Sequence, residues 1–204
     1  MDCLNELLLR YPVLGSCEKS LSAAYKQLSD SFTAGGRLYI CGNGGSAADA
    51  LHIAGELVKS FVLPRSLDSS FTERVTPELA QKLEGALPAY PLVENIALAS
   101  AYANDVDPEY IFAQQVYAYA RPNDCVMGIS TSGRSKNVIR ALEAARGRGA
   151  STLGLTGRDG GDMKELCDVC IIAPEWETYK IQELHLPIYH TLCMMLEEKY
   201  WGKK

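Results

Sequence analysis

Arg37-Leu-Tyr-Ile-Cys41 leads into Gly42-Asn43-Gly44-Gly45-Ser46, and a helical pattern follows from Ala47 to about Phe61. The first five residues are a short apolar run behind the glycine stop Gly35-Gly36, which predicts a buried strand. The glycine-rich break ends it and opens the helix. The same strand, polar loop, helix unit returns twice. Asp124-Cys-Val-Met-Gly-Ile129 is followed by the loop Ser130-Thr131-Ser132-Gly133-Arg134-Ser135 and a helix over Lys136–Arg148. Ser151-Thr-Leu-Gly-Leu155 is followed by Thr156-Gly157 and a short helix near Met163–Leu166, then by the strand Val169-Cys-Ile-Ile172. Apolar strands alternating with helices predict an α/β fold, a parallel sheet covered on both faces, with ligands at the carboxyl ends of the strands.

Outward from this frame, residues 1–34 carry apolar positions at helical spacing, Leu4, Leu7 and Leu8, then Leu21, Ala24, Leu28 and Phe32. Ser16 suits the N-cap of the second helix. Residues 63–90, punctuated by Pro64, Pro77 and Pro88, read as an insertion over the sheet, with a helix from Glu78 to Leu87; a packing arm is a stronger reading than a lid. A long last helix spans Tyr179–Tyr200, interrupted by a kink at Pro187. The whole chain, 1–204, is taken as one domain.

Twenty basic residues against twenty-five acidic give a net charge of −5. That argues against a general nucleic-acid or membrane-surface binder, which needs clustered Lys and Arg. No stretch approaches the length of a membrane span, and the opening residues lack the pattern of a secretory leader. Seven scattered cysteines fit a reduced, cytoplasmic chain better than a disulfide framework. Cys167 and Cys170 form a lone C-x-x-C that enters a strand, which predicts thiols on opposite faces and no shared chemistry.

Two loops open helices and are rich in Gly, Ser, Thr and Asn. Backbone N–H groups at a helix start, joined by small hydroxyls, hold an anion without any Lys or Arg. Ser130, Thr131, Ser132 and Ser135 place four hydroxyls in six positions, and with Asn43, Gly44 and Ser46 in the first loop they point to a phosphate site. Neither loop matches the P-loop or the dinucleotide fingerprint.

His52 and Glu56 stand at i and i+4, so they share one helix face. Gln182, His185 and His190 lie on the last helix; Glu94 and the Asn104-Asp105 pair are further polar candidates. Each alone reads as an ordinary helix residue. Together they fit either a metal site, since His and Glu suit Zn²⁺, or a carboxylate base with a histidine acid. Gln182 and His190 are about 12 Å apart along a straight helix. Both reach one centre only if Pro187 bends the helix or a neighbouring subunit supplies one of them, which predicts an interface site.

These motifs resemble the sugar isomerase (SIS) domain family, phosphoheptose isomerase type. The residues that carry the resemblance are Leu38-Tyr-Ile-Cys-Gly-Asn-Gly-Gly-Ser46, Ala48-Asp49 with His52 and Glu56, Ile129-Ser-Thr-Ser-Gly133 with Ser135 and Asn137-Val-Ile139, Leu155-Thr-Gly157 with Asp159-Gly-Gly161, and Ile181-Gln-Glu183 with His185 and His190. The resemblance implies a flavodoxin-like three-layer sandwich with a five-stranded parallel sheet, and a homotetramer in which the helices of 1–34 serve assembly. It implies that Ser130, Thr131, Ser132 and Ser135 bind the sugar phosphate, with Asn43, Gly44, Ser46, Asn104, Asp105 and Gln182 toward substrate. Glu56 and His190 act as base and acid, or ligate Zn²⁺ with His52 and Gln182. The implied reaction interconverts sedoheptulose 7-phosphate and D-glycero-D-manno-heptose 7-phosphate through a cis-enediol. Isomerisation of another phosphosugar is a second reading, and a non-catalytic module like the DnaA initiator-associating protein a third. That relative lacks the Glu and the final His, both kept here. Ser60 and Tyr179 stand where the isomerases commonly carry Arg and Asp.

Overall fold

The computed structural model describes residues 3–202. Helices α1 (Cys3–Arg10) and α2 (Glu18–Thr33) flank a 3₁₀ segment, Pro12–Cys17. Then come β1 (Leu38–Gly42), α3 (Gly45–Val58), the single turns α4 (Ser69–Thr72) and α5 (Pro77–Ala80), and β2 (Ala89–Pro91). Next are α6 (Ile96–Asp105), a 3₁₀ turn at Pro108–Tyr110, α7 (Ile111–Tyr119), β3 (Cys125–Ser130), α8 (Lys136–Gly147), β4 (Ser151–Gly157), α9 (Met163–Leu166), β5 (Val169–Ala173) and α10 (Thr178–Trp201).

The five strands form one parallel sheet in the order β2-β1-β3-β4-β5. Side chains alternate across it, as a strand's period of two requires. Leu38 and Ile40 of β1 join Met127, Leu153, α1, α2, α3 and α10 on one face. Tyr39 and Cys41 join Val126, α7 and α8 on the other. The α/β sandwich expected from the sequence is therefore present. Strand order reverses about β1, so the carboxyl ends of β1 and β3 flank the crevice where such sheets take ligands.

Several expectations are corrected. Ser16 caps nothing: it lies inside the 3₁₀ run that Pro12 opens, and Cys17 precedes α2 without a side-chain cap. The Cys17 thiol donates instead to Ile172 O at 3.2 Å. Helix α3 stops at Val58, because Lys59 is already extended. The helix expected over 78–87 is the single turn α5, started by Thr76 Oγ1 accepting from Leu79 N. Helix α10 is uninterrupted at Pro187. Cys167 and Cys170 point to the same place: a Cβ on Gly154 would meet their sulfurs at 3.0 and 2.9 Å. Strand alternation does not apply to Cys167, which precedes β5.

The 63–90 segment packs against the far ends of α3 and α10 rather than over the strand ends that carry the loops. Leu87 N donates to Leu57 O, Trp201 Nε1 to Ser66 O, and Leu38 N, at the start of β1, to Pro88 O. Buried Glu197 of α10 accepts from Phe61, Val62 and Leu63 N and from Arg65 Nε. Arg65 in turn donates to Leu57 O and Glu56 O, satisfying carbonyls at the end of α3 that have no helical partner. Among the described residues no helix is long and apolar enough to cross a membrane.

Candidate active site

The first loop and the Ser-rich loop meet at the crevice. Asn43 and Asn137 join their amides reciprocally, with both N–H···O bonds at 2.9 Å. Sequence reasoning gave Asn137 no role; its place in the second loop's motif was the available signal. Ser130, buried at the end of β3, lies 2.9 Å from Ser135 and 3.4 Å from Ser132, oxygen to oxygen. Ser132 Oγ accepts from Arg134 N. Gly133 has φ +65°, and a Cβ there would sit 2.0 Å from Gly160 O, so only glycine lets the Ser-rich loop close on the loop that follows β4. The Arg134 guanidinium is held by Asp159 in two bonds of 2.8 and 2.7 Å. It also holds the Asp159 carboxyl well below the usual carboxylate range. The hydroxyls and N–H groups of the loop, not this arginine, are left for an anion. Thr156 ends inside β4, its Oγ1 buried without a partner.

Farther along α3, Asp49, His52 and Glu56 occupy the face that meets α10. His52 Nε2 lies 3.1 Å from Glu56 Oε1 and 3.4 Å from His190 Nε2. The two imidazoles meet edge to face at 5.0 Å, and Phe61 covers His190 from 5.1 Å. Glu56 is 15% exposed; its Oε2 is buried and accepts no hydrogen bond, although Lys59 Nζ stands 3.8 Å away. Burial, with His52 second, pushes the His190 pKa below the usual histidine value. A cavity of about 280 Å³ opens beside His190, lined by Leu7, Arg10, Phe61 and Pro187 among others.

Tyr189, also unassigned from sequence, bridges Asp49 and His52 through its hydroxyl. His185 is fully buried beneath: its Nε2 donates to Thr156 O at 3.2 Å, and its Nδ1 stands 3.9 Å from Asp49 Oδ2.

Three of the four residues expected to share one centre, His52, Glu56 and His190, thus come together within one chain. Gln182 does not join them. It covers Gly45 at the start of α3, where a Cβ would lie 2.4 Å from its Nε2. With α10 unbroken, the separation of about 12 Å from His190 stands. Asn104 and Asp105, exposed at the end of α6, bond to each other at 2.9 Å. Glu94 lies apart, in a surface hollow with Tyr39, Tyr90 and Tyr119. Among the described residues no group of three or more His, Cys, Asp or Glu is arranged to hold a metal ion as it stands.

Residues 12–157 match the SIS domain family. The phosphoheptose isomerase of Rhodospirillum rubrum is 40% identical over 185 residues, covering 91% of this chain and 88% of that one. That of Crocosphaera subtropica is 44% identical over 172 residues, covering 84% and 78%. Among solved structures, phosphoheptose isomerase GmhA from Neisseria gonorrhoeae superposes with a TM-score of 0.73 at 32% identity, covering 88% of this chain and 86% of that one. A phosphoheptose isomerase from Francisella tularensis gives 0.77 at 27% identity, covering 93% and 91%. Fold, ordered motifs and relatives of matching length agree: the chain belongs to the SIS-domain phosphoheptose isomerases.

Proposed function

We propose that this chain is an aldose–ketose isomerase that converts sedoheptulose 7-phosphate to D-glycero-D-manno-heptose 7-phosphate. One observation carries the mechanism: Glu56 presents a buried carboxylate oxygen with no hydrogen-bond partner, while His52 holds its other oxygen. A buried unpaired acceptor is costly unless function employs it. Glu56 Oε2 takes the proton from C1 of the ketose and returns it to C2. The hydroxyl proton moves from O1 to O2, assisted by His190. A neutral imidazole can serve these oxygens as an N–H donor, and burial favours that form of His190. The phosphate is assigned to Ser130, Thr131, Ser132 and Ser135, with Asn43, Gly44 and Ser46 alongside.

Glu56 stands eleven residues, or about 16 Å of helix, beyond Gly45. An extended seven-carbon phosphate spans about 10 Å from bonds near 1.5 Å. This supports an active site that pairs the Ser-rich loop of one subunit with the Glu56 of another, in a homotetramer. Helix α6 supports assembly as well: it reads IALASAYAND and buries no residue within the chain. Asn104, Asp105 and Gln182 are then assigned to substrate across such an interface. Zn²⁺ is retained as a proposed cofactor. The open Glu56 Oε2 and the nitrogens of His52 and His190 suit it in donor type, with Gln182 as the fourth candidate. When bound, the ion would polarise the substrate carbonyl oxygen. Metal analysis of the purified protein tests that part.

The deciding assay follows sedoheptulose 7-phosphate by NMR, with and without added Zn²⁺. The expected result is aldose product, with a loss of about 10²–10⁴-fold in Glu56→Gln and His190→Ala, the range of general acid–base contributions. Absence of both product and C1 or C2 proton exchange under either condition overturns the reading.

A further inference from the structure

We infer that Cys167 and Cys170 form a dithiol site that closes to an intramolecular disulfide by exchange with a low-molecular-weight disulfide of the glutathione class. The site stands apart from the sugar-phosphate chemistry proposed above.

Cys170 lies in β5, in register with Gly154 of β4. Cys167 follows the single turn α9, where the chain bends before the strand begins. Asp168 pins that bend to β4. Its carboxylate accepts from Thr152 N at 2.7 Å and from Thr152 Oγ1 at 2.9 Å, and its N–H donates back to Thr152 Oγ1 at 2.9 Å. The turned chain sets Cys167 on the same side of the sheet as Cys170. Both sulfurs crowd one point, the place a Cβ on Gly154 would take, Cys170 at 2.9 Å and Cys167 at 3.0 Å. Glycine in β4 thus leaves the pair its room. Two cysteine side chains aimed at one spot are what a disulfide requires, since side chains that point apart cannot be bridged without moving the backbone.

The two thiols differ in character. Hydrogen bonding with Cys167 holds the Cys170 thiol below its usual pKa, with burial opposing and Lys164 assisting. The same bond, and burial after it, push Cys167 up. The thiolate is the nucleophile in exchange, so Cys170 attacks and Cys167 resolves. The Cys170 thiolate attacks one sulfur of RSSR, which forms the mixed disulfide Cys170–S–S–R and releases RS⁻. Cys167 then gives up its proton and attacks the Cys170 sulfur, which forms the Cys167–Cys170 bond and releases a second RS⁻. The two cysteines are oxidised, RSSR is reduced to two RSH, and the two thiol protons end on the leaving thiolates. Both cysteines are half-buried and so open to a small reagent. Cys41, Cys125 and Cys193 are buried, and burial pushes their thiols up to about 12, about 11 and about 12.

The test treats the native full-length protein with oxidised glutathione. Cleavage after Lys164 and Lys180 then yields one peptide, residues 165–180, that carries both cysteines and no other. In the wild type this peptide is expected to lose the mass of two hydrogens, to escape alkylation, and to recover both thiols with dithiothreitol. Cys41, Cys125 and Cys193 should stay unmodified until the protein is denatured. Cys167→Ser, which keeps a hydroxyl beside Cys170, should stop at the first step and retain glutathione on Cys170. Cys170→Ser should take up glutathione on Cys167 about threefold more slowly or less, because rate falls as a thiol's pKa rises above ambient pH. Two alkylatable thiols in the wild-type peptide under excess oxidised glutathione overturn the inference. So does glutathione held permanently on the wild-type Cys170, since Cys167 would then be out of reach, and equal rates in the two variants overturn the assignment of the attacking thiol. The readout involves no turnover, so a failure here and a failure of the isomerase reading are distinguishable.

Discussion

Glu197→Gln should destabilise this protein more than any surface charge change, and the structure supplies the magnitude. The carboxylate is 1% exposed and accepts four hydrogen bonds of 2.7–2.9 Å, from Phe61, Val62 and Leu63 N and from Arg65 Nε. Arg65 is likewise enclosed, with its guanidinium stacked 4.9 Å from the Trp201 ring. The amide keeps one accepting oxygen but turns an N–H₂ toward donors and leaves the arginine charge uncompensated. Breaking a buried ion pair from one side costs about 3–5 kcal/mol. For a chain of this size each kcal/mol lowers Tm by about 2–4 °C, so a drop of roughly 6–20 °C is expected at pH 7. Turnover should fall too, because Arg65 also holds the carbonyl of Glu56. The pH dependence has a definite sign. Burial works against the Glu197 charge, but the backbone N–H groups and Arg65 outweigh it and hold its pKa below the usual value. Its contribution is therefore present above the unfolded glutamate pKa of about 4.3 and lost as pH falls through the folded value. Thermal melts by circular dichroism, at one protein concentration across pH 3–8, should show the gap between wild type and variant closing in acid. A Glu197→Gln protein melting within about 2 °C of wild type at pH 7, or a gap that persists unchanged at pH 3, would refute the reasoning.

Other perturbations separate the parts of the proposed site. Ser130→Ala and Ser135→Ala each remove one of two hydroxyls 2.9 Å apart. Steady-state kinetics should show KM rising about tenfold for one lost phosphate contact of about 1.4 kcal/mol, with kcat nearly unchanged; a KM within twofold of wild type in both variants would remove that loop from the phosphate site. Gly133→Ala forces a side chain onto φ +65° and against Gly160 O. It should cost more than about 1 kcal/mol in denaturant unfolding and weaken phosphate binding, and unchanged values for both would show that the loops part freely.

The strands β1, β3, β4 and β5 were legible because each is a run of apolar residues between loop signals, a property local to the chain. So was the shared face of His52 and Glu56, since i and i+4 spacing needs only a helix. β2 escaped notice because Ala89–Pro91 has only three residues, the last a proline and another proline just before it, tolerable only on a sheet edge, and edge status belongs to the assembled sheet. Helices α6 and α7 were not assigned from the sequence; α6 buries nothing within the chain, so it has no apolar stripe set against a polar one. The side-by-side thiols of Cys167 and Cys170 depend on the notch at Gly154 in a neighbouring strand. The sequence by itself determined the alternating architecture, the hydroxyl-rich loops and the candidate base and imidazoles. Tertiary structure alone decided that His190, not Gln182, stands beside His52, and that Asp49 and Tyr189 lie behind it. Those contacts exist because α3 and α10 dock side by side on one face of the sheet. The register between two helices 120 residues apart is set by packing on the strands beneath them, not by the spacing within either.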